Sequence, residues 1–314
     1  MWLAKNTRAL AAAGFLFPRT ARPVNLFGTD VAGHHNLPWA FLDDERFDPR
    51  DGSIDELAAE IAREELPIVI VSSEDFGLSV ERPAGLAALR DALEGAGYRT
   101  SVLAYLRPQR GYAHGIYTEL GRQGLAIGFE TFLADVVAHG EFRVGNYVVA
   151  FDYRRLLGPL VACFGRERTI VRAYRPGAPD DALPRDFLAT IASGLPLNYD
   201  RLGPIARENH GSTFGDVLAS QFANHAQGRR GFTTPEDLAA EAFGADAARV
   251  LAQPFAPLGP DDAAAFSALF ADSNAEIAAD FDLTWGVDPP ALDRPEQRTL
   301  LARAVATWTR ESGS

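Results

Sequence analysis

The chain has 314 residues, 47% of them hydrophobic and 23% charged, which is enough apolar material for a full α/β core and excludes a disordered chain. Acidic residues outnumber basic ones 42 to 30, and the formal charge of −12 excludes a broad nucleic-acid or anionic-membrane surface, so any anion site must be local. Lys5 is the only lysine and Cys163 the only cysteine, which excludes a later phosphate-binding or Schiff-base lysine, an intrachain disulfide and a multi-cysteine metal site.

No apolar run approaches the ~18 residues of a transmembrane helix, which predicts a cytoplasmic protein without membrane insertion. Lys5 and Arg8 before the apolar stretch from Ala9 to Phe17 copy the outline of a signal peptide. Pro18, Arg19 and Arg22 stand where a small-residue cleavage site belongs, so the start is expected to be a helix ending near Gly14. Ser53–Ile54–Asp55–Glu56 is a capping-box signature, and Ile54, Leu57, Ala58 and Ile61 follow on one helical face. The β-branched run from Ile68 to Val71 predicts a strand buried on both faces, ending in Ser72–Ser73–Glu74–Asp75. A helix from Pro83 to about Glu94 stops at Gly95–Ala96–Gly97, and a second strand runs from Ser101 to Leu106 into Arg107 and a helix over Pro108 to Leu120.

Phe129, Phe132, Leu133, Val136 and Val137 predict a helix closed by Gly140, and Leu156, Leu157, Leu160, Val161 and Phe164 another closed by Gly165. Cys163 within that second run is expected to be a buried, inert thiol. A third strand covers Thr169 to Tyr174. Strands separated by helices of this length predict right-handed crossovers, hence a three-layer α/β/α core with a parallel sheet. Beyond Pro176 the pattern is helical only: Pro184 to Ala192, Thr213 to His225, Pro235 to Phe243 with Thr234 as N-cap, Asp261 to Ala279, and Pro295 to Trp308. The expected organisation is therefore a core over residues 1–180 and a helical extension over 181–314 packed on it.

The strong phosphate-loop, dinucleotide, zinc-protease and serine-hydrolase signatures are absent. What stands out is polar chemistry at three strand ends: Ser72, Ser73 and Glu74; Arg107; Tyr174 and Arg175. In open α/β sheets the crevice beyond the carboxyl ends of the strands is where ligands bind, and the arginine fork suits phosphate. Each residue has a plainer alternative. Ser72 and Ser73 can cap the following turn, Glu74 can be a solvated carboxylate, Arg107 half of an ion pair, and Tyr174 a core-edge aromatic. His34 and His35 are adjacent, hence on different sides of the backbone, which disfavours a shared metal. His114 follows Arg107 by two helical turns, and His210 lies in a loop before a helix. Asp280–Phe281–Asp282 has the D-x-D form of metal-dependent glycosyltransferases but follows a helix instead of a strand.

Taken in order, several stretches resemble the bacterial sulfotransferase-like family of the P-loop sulfotransferase superfamily. They are residues 2–8 with Gly14 to Pro18, Gly33 to Leu37, Val71 to Glu74, Tyr105–Leu106–Arg107–Pro108–Gln109 with Tyr117, Phe164–Gly165 before Tyr174, and Ser273–Asn274–Ala275. The resemblance implies sulfuryl transfer from 3′-phosphoadenosine 5′-phosphosulfate to a carbohydrate or small-molecule hydroxyl, without a metal. It implies a 3′-phosphate ligand at Arg107, an aromatic near the adenine at Tyr174, a polar donor-site group at Ser73, and a base for the acceptor at Glu74 or, second, His35. The family pairs its arginine with a serine eight positions later. Here that position is Gly115, with His114 beside it as a substitute donor. The family also begins with a strand and a Lys-Thr/Ser-rich loop holding the 5′-phosphosulfate, directly before the helix with which this chain opens. The expectation is thus a shortened member lacking that loop, either a sulfotransferase or its inactive remnant. The competing readings are a noncatalytic nucleotide- or glycan-binding protein of the same fold, or a glycosyltransferase.

Overall fold

The computed structural model describes residues 2–23, 33–192, 195, 202–203, 211–287 and 289–313, and His210 lies outside them. The protein is mixed α/β and 58% helical. Its strands are β1 (Phe15–Leu16), β2 (Ile68–Val69), β3 (Val102–Leu106), β4 (Glu141–Val144), β5 (Tyr147–Ala150) and β6 (Thr169–Ala173). β1 and β2 pair in parallel, Phe15 with Ile68 and Leu16 with Val69. β3 lies beside β6, and β4 beside β5.

β2, β3 and β6 fall on the three strands that the sequence predicts. The pairing is different: the described residues form three two-stranded ladders in place of one continuous parallel sheet. β1 and the β4–β5 hairpin are not predicted. β1 is hidden inside the apolar run that begins as a helix, and Gly14 at φ +90° turns the chain out of that helix into the strand. The hairpin turns at Gly145, φ +55°.

The chain divides into two compact units. The first comprises Met1–Tyr105, Arg143–Arg172 and Ala178–Arg207; the second comprises Leu106–Phe142, Ala173–Gly177 and Glu208–Ser314. In the first unit the β1–β2 ladder is covered on both sides, because side chains alternate along a strand. Phe15, Phe17 and Ile70 enter a core with Leu10, Leu188 and Ala192, under the helices Thr7–Ala12 and Ala182–Ile191. Leu16 enters the opposite core with Leu37, Leu57, Ile61, Leu89 and Leu93, under the helices Asn36–Phe41, Ile54–Glu64 and Pro83–Gly95. The predicted capping box is formed: Ser53 Oγ accepts from Glu56 N–H, and the Glu56 carboxylate accepts from Ser53 N–H at 2.8 Å.

Cys163, expected to be fully buried, is half-buried. Arg90 Nη1 donates to its carbonyl at 2.5 Å, and desolvation raises the thiol pKa, so an unreactive thiol follows from the environment even without enclosure.

The second unit is held by an aromatic cluster. Tyr117 stacks on Phe255 at 5.8 Å, Phe255 on Phe214 at 6.4 Å, and Phe129 meets Tyr117 edge-on at 5.1 Å. The helices Phe214–Ala226, Pro235–Phe243 and Pro295–Ser312 lie close to their predicted positions, with capping boxes at Thr213 and Thr234. The single helix expected from Asp261 to Ala279 is two, Pro260–Ala268 and Ala271–Phe281, broken where Phe270 turns to meet Phe266 edge-on at 5.4 Å.

Candidate functional site

The structure brings His35 and Ser73 together in the first unit, and Arg107 and Tyr174 together in the second. The two histidines that follow Gly33 point to different partners, as their adjacency requires. His34 is fully buried. Ser72 N–H lies 3.1 Å from its Nδ1 and Pro18 C=O 3.2 Å from its Nε2, so Nδ1 accepts and Nε2–H donates. The ring is neutral: desolvation holds it at about 4, and Ser72, Arg22, Pro18 and Glu60 adjust it less. His34 thus ties the exit of β1 to the exit of β2 and has no nitrogen left for a ligand.

His35 is in a different setting. Its Nδ1 lies 2.8 Å from Asp75 Oδ2 and 3.0 Å from Ser73 Oγ. The same Asp75 oxygen accepts from Trp39 Nε1–H at 2.9 Å. Trp39 is buried and lies one turn along the helix from His35, with the two rings 5.6 Å apart. A carboxylate only accepts, so the Nδ1–H of His35 points at Asp75 and the neutral ring carries its lone pair on Nε2. Ser73 stands on the Nδ1 side. That rules it out as a nucleophile activated by this imidazole, and its Oγ instead accepts from Asp75 N–H at 3.1 Å, capping the short turn Glu74–Leu78. The capping alternative for Ser73 therefore holds.

Gly33 is required by the same arrangement. A Cβ there would lie 2.7 Å from His35 Nε2 and 3.1 Å from the Ser72 carbonyl. Glu74 is exposed on the first turn of the 74–78 segment.

In the second unit, the exposed Arg107 follows β3, and its guanidinium carbon lies 4.8 Å over the ring of Tyr174, which follows β6. Tyr174 N–H donates to Leu106 C=O at 2.8 Å, continuing the ladder to the point where the two side chains meet. An arginine on an aromatic face is worth about 0.5–1 kcal/mol at an exposed site. Gly286 backs this pair: a Cβ there would strike the Tyr174 carbonyl. A Cβ at Gly115 would lie 3.7 Å from Arg107 Nη1, an ordinary contact, so this helix position faces the arginine.

His114 is turned into the aromatic cluster, 6.3 Å from Phe129 and 6.0 Å from Phe255. Its Nε2 is buried with no hydrogen-bond partner among the described residues, and desolvation, reinforced by the charge of Arg110, holds the ring at about 4. It is a neutral aromatic-site ring. Gln109 and Asn274, both in stretches that carry the resemblance, are joined by paired amide hydrogen bonds.

Asp75, Trp39 and Gly33 belong to the site and were not singled out from sequence. The signal available was the i, i+4 spacing of His35 and Trp39 and the acidic residue two places after Ser73. Among the described residues no group of His, Cys, Asp and Glu could hold a metal ion, and no helix is long and apolar enough to cross a membrane. Asp280 lies in the last turn of the helix Ala271–Phe281 and Asp282 is its left-handed cap, φ 50°. No family model, curated protein or solved structure matches this chain.

Proposed function

We propose that the protein is sulfotransferase-like, binding 3′-phosphoadenosine 5′-phosphosulfate on a P-loop-type α/β fold in the cytoplasm and serving transfer of the sulfuryl group to a carbohydrate or small-molecule hydroxyl. The observation that carries the proposal is the Arg107 guanidinium over the Tyr174 ring at the ends of two adjacent strands. A cation and a π-face at one strand-end position offer what a phosphorylated purine nucleoside needs, a charged fork for the 3′-phosphate and a surface on which the base stacks.

Sulfuryl transfer to a hydroxyl also needs a proton acceptor. His35 is better suited than Glu74. Its Nδ1 proton is held by Asp75, which leaves Nε2 as the acceptor and stabilises the imidazolium that forms; Glu74 is exposed on a turn.

Calorimetric titration with 3′-phosphoadenosine 5′-phosphate tests the nucleotide half. Binding that weakens in Arg107→Ala and Tyr174→Ala is expected. Absence of binding to the unmodified chain would overturn it.

A further inference from the structure

Arg22 lies on the turn that leaves β1, its N–H donating to Arg19 C=O at 3.3 Å. Its guanidinium carbon sits 4.7 Å over the ring of Phe17, a buried side chain, and its Nε is buried with no hydrogen-bond partner among the described residues. The charges around it do not compensate it. Arg19 repels it, and among the described residues the attractive charge acting on it is Glu60, whose two oxygens already accept from Arg19 N–H and Thr20 N–H at 2.8 Å each. His34, edge-on to the same Phe17 ring at 4.8 Å, is neutral and offers no negative charge. Burial accordingly lowers the Arg22 pKa, with Arg19 the next cause.

A cation partly withdrawn from water beside another cation is destabilising by itself. Local conflicts of this kind are retained where a ligand resolves them. We propose that Arg22 is an oxyanion-binding subsite for a sulfate- or phosphate-type group at the carboxyl end of the β1–β2 ladder. The position is right, because ligands of parallel strands bind beyond their carboxyl ends. The chemistry is right, because a guanidinium fixed over an aromatic ring presents paired donors to two oxygens of a tetrahedral anion. Arg19, within range of its charge, adds to the positive potential without competing for the donors. The subsite stands on Arg22 alone and does not depend on the nucleotide assigned to Arg107.

The test uses the whole chain in chloride buffer at matched ionic strength, with thermal melts and calorimetry against sodium sulfate, sodium phosphate, sodium acetate and 3′-phosphoadenosine 5′-phosphate. Sulfate or phosphate is expected to raise the melting temperature saturably in the unmodified chain and in Arg107→Ala. In Arg22→Met the affinity falls by about tenfold or more, as for loss of hydrogen bonds to a charged group. Without anion, Arg22→Met is expected to melt higher than the unmodified chain, since the uncompensated charge is gone. Arg22→Lys keeps the charge but loses the fork, and binds the anion more weakly than arginine does. Competition between the nucleotide and sulfate for the Arg22-dependent shift would make the bound group part of the nucleotide; sulfate or phosphate acting alone would make it an independent anion. Three results overturn the proposal: Arg22→Met folding less well with its anion response intact, a response that follows Arg107 instead of Arg22, or acetate acting as strongly as sulfate.

Discussion

Gln109 and Asn274, 165 residues apart, exchange two side-chain hydrogen bonds, Nε2 to Oδ1 at 2.8 Å and Nδ2 to Oε1 at 3.0 Å. Gln109 is buried and opens the helix that follows Arg107, while Asn274 lies in the helix Ala271–Phe281 and takes Trp285 Nε1–H on its carbonyl at 2.9 Å. Truncating one partner deprives the other amide of this pairing, at about 1–3 kcal/mol. Asn274→Leu and Gln109→Leu should therefore each lower the urea midpoint, and the double variant should lose less than the two losses added. Strict additivity in that cycle would show that the amide pair is not coupled.

Gly115 offers a gain of stability and of binding together. It sits in the middle of the helix Gln109–Arg122, where glycine costs a few tenths of a kcal/mol or more relative to serine, and a Cβ there would meet the Arg107 side chain at 3.7 Å, an ordinary contact. Gly115→Ser should raise the melting temperature slightly and tighten 3′-phosphoadenosine 5′-phosphate by placing a hydroxyl beside the arginine. Calorimetry showing unchanged or weaker nucleotide binding would count against the placement of the phosphate there.

The His35 tautomer can be read directly by nitrogen NMR of the imidazole. The Asp75 contact predicts Nδ1–H in the neutral ring; Asp75→Ala should release that preference, whereas Asp75→Asn should keep an oxygen acceptor but lose the charge. Gly33→Ala should disturb the same signals, because the added methyl meets Nε2 at 2.7 Å, and should cost about 1–3 kcal/mol in chemical unfolding. Finding Nε2–H in the unmodified protein would remove His35 as a base.

Acid should destabilise the fold earlier than carboxylates alone would. His34 and His114 are each held at about 4 against an ordinary 6.5, so between those values the unfolded chain binds more protons than the folded one. Their contribution is complete above about pH 6.5 and is lost as the pH falls through 4, at roughly 2 kcal/mol per histidine between pH 7 and pH 5. His114→Leu should flatten part of that slope and also stabilise the protein at pH 7, since it removes a buried nitrogen that has no partner among the described residues. Urea unfolding at both pH values checks the sign and the size.

The strand ends were legible from sequence because β-branched runs and the polar residues that stop them are local signals. Arg107, Tyr174 and Ser73 are singled out by their strand-end positions, and His35 by the family resemblance. The pairing of the strands was not legible: β1 is two residues long, too short to show a period, and it continues an apolar run that starts as a helix. Asp75 and Trp39 were missed for another reason. Each has a common structural role, an acidic residue in a turn and a core tryptophan, and only the meeting of both on one imidazole gives them a chemical one. His114 shows the reverse. Its place two turns after Arg107 suggested a ligand, while the aromatic cluster around it set the direction of the ring.

The short β1 strand divides its side chains between two cores, Phe15 and Phe17 to one side and Leu16 to the other. Deleting or inserting one residue near Gly14 would send the phenylalanines into the space shaped for a leucine and turn His34's acceptor at Pro18 away from its ring. Only even steps preserve the arrangement. Length changes tolerated in this segment over its history would thus come in pairs of residues, while single-residue changes would be confined to the loops beyond it.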